Sequence, residues 1–163
     1  MRRGATDLDG GPRSTEDVTM KSDQAGSAEL SATLNADGVL QLSLSGLLTA
    51  RSWAAVVAAS VGPVGPSSAI VLDCTRAVLA LSATEFFTTK PAGGANMVPV
   101  ALIGGAAQLR MLVGCSHMAA ERGQLQVVFD DAARGLEWAR RQARLAWEKS
   151  THRGPTAVVL IAR

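Results

Sequence analysis

Three short runs in this chain are apolar almost throughout: Ala69-Ile70-Val71-Leu72, ending in the carboxylate of Asp73, Val98 to Ile103, and Leu125 to Phe129 with Gln126 its one polar residue. A strand wetted on one side alternates apolar and polar residues, whereas a continuous run needs cover on both faces, as parallel strands between helices have. Helical patterns separate and follow these runs, at about Ser82 to Thr89, Ala106 to Ala120 and Asp131 to about Lys149. Upstream, Ala28 to Leu34 and Val39 to Leu44 flank Asn35-Ala36-Asp37-Gly38, whose residue types tolerate a tight hairpin turn. Thr49 is placed to cap a helix running to about Ser60, with Trp53, Val56 and Val57 on one side, and Gly62 to Pro66 stops it. The order predicts an α/β architecture: a mostly parallel β-sheet with an N-terminal antiparallel hairpin strand and helices packed on it. In such sheets ligands and partners gather where the strands end, here near Asp73, Gly104 and Phe129 to Asp130.

A length of 163 residues with 47% hydrophobic content suits one domain, and with aromatics at 4% the core must be built from Ala, Val and Leu. Residues 1–27, rich in Gly, Ser, Thr and Asp, read as a disordered tail, residues 28–150 as the folded domain and 151–163 as an extension. In that extension, Ala157 to Ile161 reads as an extra strand or a segment awaiting a partner. A net charge of +2 sets up no field that would recruit nucleic acid or an anionic membrane. Arg134, Arg140, Arg141 and Arg144 with Trp138 are interrupted by Glu137 and Glu148, the mixture of a solvated helix face. On that helix Ala132, Leu136, Ala139, Ala143 and Trp147 share one stripe, with Trp138 and Leu145 nearer the opposite side. No apolar stretch approaches the roughly 18 residues of a membrane span. Asp7, Asp9, Glu16 and Asp17 stand where a secretory peptide needs an apolar run, and the distant Cys74 and Cys115 suit reduced thiols, so the expected compartment is the cytoplasm.

Reactive chemistry is sparse. Gly114-Cys115-Ser116-His117 is the one place where a thiol, a hydroxyl and an imidazole fall together. On a helix, residues two apart point to different faces, so His117 is badly placed to deprotonate Cys115. A thiol enzyme or redox sensor there requires an exposed Cys115 of lowered pKa. The histidines His117 and His152 and the two cysteines show no metal-ligand spacing, and no metal or other cofactor is expected. Gly104-Gly105 lacks the dinucleotide and phosphate-loop patterns and suits close strand-to-helix packing. Asp130-Asp131 serves a helix start as cap and dipole partner, and Asp73 is expected to receive loop N–H groups. The residues assemble no enzyme.

Several segments together resemble the STAS superfamily, the domain shared by sulfate transporters and anti-sigma factor antagonists. Gly38 to Thr49 is similar to its opening strand, G-x-L-T turn and first helix start. Ala69 to Asp73 resembles its central strand, and Phe129-Asp130-Asp131 with Gly135-Leu136-Glu137-Trp138-Ala139-Arg140 resembles its closing strand and helix. The likeness spans roughly residues 28 to 148 and is nearest to small free-standing bacterial members. It implies a non-enzymatic regulatory module that binds a protein, such as an anti-sigma factor or a kinase-like regulator, or a small apolar or anionic ligand. Self-association through an exposed strand edge or Ala157 to Ile161 fits the same picture. In the antagonist branch a D-S-[ST]-G sequence opens the second helix, and its second hydroxyl residue is phosphorylated. Here the corresponding residues are Leu81-Ser82-Ala83-Thr84, so only Ser82 matches, and Ser82 or Thr84 is left to accept a phosphate. Ser82 equally suits a plain helix cap. The residues singled out for partner binding or switching are therefore Ser82, Thr84 and Asp73.

Overall fold

The turn at Asn35-Ala36-Asp37-Gly38 closes as its residue types demand. Gly38 takes φ +79°, Gly38 N–H donates to Asn35 O, and the Asp37 carboxylate accepts the Val39 N–H at 3.2 Å. The computed structural model describes residues 17–20, 28–60, 68–88 and 98–152, with side chains for 28–55, 68–88 and 98–149. Along it run β1 (Asp17–Met20), β2 (Glu29–Leu34), β3 (Val39–Thr49), α1 (Ala50–Ser60), β4 (Ala69–Ala80) and α2 (Ala83–Thr88). Then come β5 (Val100–Ile103), α3 (Ala106–Ala120), β6 (Gln126–Phe129) and α4 (Ala132–His152). The described strands form one sheet in the order β1-β2-β3-β4-β5-β6, antiparallel from β1 to β3 and parallel from β3 to β6. The α/β architecture expected from the apolar runs is thus the one observed.

Two separate cores sandwich the sheet. On one face Leu44, Leu48, Leu72 and Leu102 pack with Trp53 of α1, Phe86 of α2 and Leu112 and Cys115 of α3. On the other, Val39, Ala69, Val71, Ala101 and Ile103 meet Ala139 and Ala143 of α4, which alone among the described helices covers that side. The antiparallel half explains the remaining pattern. Facing away from the first core, Ser31 and Ser43, and Thr33 and Gln41, sit opposite each other across β2 and β3. That polar ladder lies beside α4, as expected for a sheet half wetted on one side.

Three details differ from the sequence reading. Within the stretch read as a disordered tail, Asp17–Met20 pairs with β2, because β2 offers an open edge of backbone groups and Val18-Thr19-Met20 suits a strand. The rest of residues 1–27, and the run from Ala157 to Ile161, lie outside the described residues. Strands β3 and β4 outrun their apolar cores and stay paired to Thr49 and Ala80, with Leu48 and Ala77 buried on one side. On the other side Leu47 and Val78 stand partnered across the strands, 41% and 64% exposed. Finally, the α4 stripe does not reach Trp147, which is 70% exposed, whereas Trp138 turns in to meet Phe129 at 5.8 Å between ring centres. The helix outlasts the sheet beneath it. No described helix is long and apolar enough to cross a membrane.

Candidate functional site

Asp73 occupies a junction. It is the last residue of β4 paired to β5, opposite Ile103, and it faces Ser43 on β3. Immediately beyond, the β3–β4 register slips: Ser43 pairs with Asp73 but Ser45 pairs with Arg76, so β4 carries one extra residue. Gly46 follows on β3 with φ +82°, a conformation that a side chain would strain. The bulge folds Thr75 back onto Asp73, whose Oδ1 accepts the Thr75 N–H at 2.9 Å and the Thr75 hydroxyl at 2.6 Å. The carboxylate does receive a backbone N–H and is held in one orientation, but the donor is a bulge residue inside β4 and not the loop residue expected.

Asp73 borders a cleft of about 180 Å³ between the sheet and the start of α4. Gln41 and Ser43 supply its other polar walls, and Val71, Ile103 and Leu136 its apolar one. Ala132 and Ala133, the first residues of α4, complete its lining. Small residues let the helix begin this close: a Cβ on Gly135 would stand 3.0 Å from Ile103 Cδ1. Asp131 caps the helix by accepting the Arg134 N–H at 2.8 Å, as expected of the Asp130-Asp131 pair. Gln41 and Ser43 went unmarked in the sequence. Their signal was present, since Gln41, Ser43 and Ser45 alternate with Leu40, Leu42 and Leu44, but it marks an open strand face without saying what borders it.

The second predicted region lies elsewhere. Ser82 precedes α2, which packs on the sheet face opposite Asp73, so the structure does not bring Ser82 and Thr84 together with Asp73. Ser82 and Glu85 cap each other. The Ser82 N–H and hydroxyl donate to Glu85 Oε2 at 2.8 and 2.9 Å, and the Glu85 N–H donates to Ser82 Oγ at 3.1 Å. The Ser82 backbone N–H, aided by its hydroxyl, holds the Glu85 carboxyl below its ordinary value. A phosphate on Ser82 would break this box and face the Glu85 carboxylate. Thr84 is exposed, and its carbonyl accepts the Thr88 hydroxyl at 2.7 Å.

Cys115 and His117 diverge as their spacing requires. Cys115 is fully buried, its thiol donating to Ala83 O at 3.7 Å and Met111 Sδ at 3.4 Å, while His117 is exposed. Burial pushes the Cys115 thiol up to about 12, and burial, with the Asp73 charge, does the same for Cys74. Between Cys115 and His117, Ser116 ties α3 to the sheet by donating to Gln126 O at 2.7 Å. Gly104 confirms close packing, since a Cβ there would meet Leu112 Cδ1 at 2.6 Å. Among the described residues no three His, Cys, Asp or Glu side chains gather as metal ligands. Arg134, Arg140, Arg141 and Arg144 are all exposed, and Arg140 reaches the β2–β3 turn to pair with Asp37 at 2.9 Å. Comparison with known protein families, with curated proteins and with solved structures finds no match.

Proposed function

We propose that this chain is a non-enzymatic regulatory module of the STAS type, acting in the cytoplasm by binding a protein partner or a small ligand. The observation that carries the reading is the Asp73 junction: a carboxylate fixed by Thr75 opens into a cleft on the sheet face beside the carboxyl ends of β5 and β6. That is where sheets of this class receive ligands, and the groups converging there are recognition groups rather than a nucleophile with its base. The order of hairpin, α1, β4 and α4 supports the family assignment by following the segments that resemble it. Native mass spectrometry of the full chain tests the reading. Expected is a retained small molecule or a stoichiometric partner that Asp73→Asn releases. A chain that is empty and partnerless under all conditions, or one that turns over a substrate, overturns it.

A second reading, a phosphorylation-controlled antagonist, is favoured by the exposed hydroxyl positions at the tip of α2. Ser82→Asp then shifts partner affinity at unchanged fold. Unaltered affinity in that variant and in Thr84→Asp defeats this version.

A further inference from the structure

We infer that the Asp73 cleft is a receptor for one small, positively charged nitrogen group, an alkylammonium or a guanidinium on a short apolar stem. The inference rests on the binding-module reading and names the chemistry of its site. Both Thr75 donors engage Oδ1, which leaves Oδ2 to a visitor. No described Lys or Arg forms an ion pair with Asp73: the Arg134–Asp130 and Arg140–Asp37 pairs lie elsewhere, and Arg76, the next cation along β4, is exposed beyond the bulge. A half-buried carboxylate without a cation gains most from one, because the apolar wall lowers the local dielectric and a charged donor strengthens the bond. The Gln41 amide oxygen and Ser43 hydroxyl are further acceptors for its remaining hydrogens.

Size narrows the class. Pockets for drug-sized molecules run to roughly 300–1,000 Å³, so about 180 Å³ takes a group no larger than one side chain. Val71, Ile103 and Leu136 give the stem an apolar seat. The anionic ligand expected from the sequence fits this cleft poorly, since Asp73 would repel it. The same chemistry arrives either as a free alkylamine or guanidine, or as a Lys or Arg side chain of a partner.

Amide-resolved NMR titration of the full chain separates these outcomes. The probes are n-butylammonium and n-butylguanidinium, with butyrate and 1-butanol as controls, and a peptide holding a single lysine beside its Nε-acetylated twin. Expected are saturable shifts at Ser43, Asp73 and Ala132 with the cations and not with butyrate. In Asp73→Asn, which keeps an oxygen for Thr75, binding is about tenfold weaker, as loss of one charge-assisted bond implies. Gln41→Met, a second variant, weakens it severalfold should the first fail to fold. Binding of the lysine peptide but not of the free amines assigns the site to a partner's side chain, and the reverse assigns it to a free ligand. Shifts with butyrate or butanol alone, or equal affinity in Asp73→Asn, overturn the cation inference and leave a binding module standing. Silence from every probe, with no mass retained in the native spectrum, removes both.

Discussion

Ser82 shows how much of a short helix depends on one hydroxyl. Its Oγ accepts the Glu85 N–H and donates to the Glu85 carboxylate, so Ser82→Ala deletes both bonds at once. The expected loss is about 1 kcal/mol in urea unfolding, and a double-mutant cycle with Glu85→Gln should show the two positions coupled. The sign with pH follows from Glu85. Its folded value lies below the unfolded one, so its contribution is present above the unfolded value and lost as pH falls through the folded one. In Ser82→Ala the Glu85 titration, followed by carboxyl NMR, moves up only in part, because the backbone N–H at position 82 still donates to the carboxylate. The thiols carry the opposite sign. With folded values pushed to about 12, Cys74 and Cys115 contribute stability below the unfolded thiol value, which is lost as pH climbs toward 12. A disulfide reagent at mildly alkaline pH should therefore modify the native chain no faster than it unfolds, and both thiols at once in denaturant. Rapid labelling of native Cys115 would reopen a redox role.

Local chemistry dictated some elements, and partners distant in sequence dictated others. The hairpin turn, α3 and the capped start of α4 were legible because their signals sit within a few residues: Gly38 for positive φ, the Ala-rich 106–120 stretch, Asp131 before its helix. The full lengths of β3 and β4 were not, since Leu47 and Val78 become strand residues only by pairing with each other. The bulge beside Asp73 is a mismatch between two strands and leaves no mark on either alone. The cleft was half legible. Asp73 announced itself as a carboxylate ending an apolar run, but its neighbours Gln41 and Ser43 arrive from β3 and Ala132 from α4, elements far apart in the chain. At this scale the strand-to-helix joint after β5 gives a clear test. Gly104→Ala places a Cβ 2.6 Å from Leu112 Cδ1 and 3.0 Å from Gln108 Cβ, both on α3. Overpacking of this kind costs about 1–3 kcal/mol, to be read as a lower urea midpoint at unchanged slope.

Across the whole molecule, Trp53 joins helices that the chain separates. Its ring stacks on Phe86 at 4.4 Å with planes 3° apart, and its indole N–H donates to Phe86 O at 2.7 Å. Trp53→Phe keeps the ring contact but strands a buried carbonyl, a cost of about 1–3 kcal/mol, while Trp53→Ala also opens a void and costs about 3–5 kcal/mol. Thermal unfolding of the pair separates the polar part from the packing part. The two sides of the sheet are unequally furnished: α1, α2 and α3 brace one another, whereas α4 holds its side with little more than alanines, Leu136 and Trp138. Detachment of α4 is therefore one partial opening that uncovers a whole face of the sheet, and hydrogen exchange should find its amides trading with solvent before those of β3 and β4. Because the same helix forms the rim beside Asp73, whatever settles there also slows that breathing, and occupancy becomes readable far away as protection along its distal turns.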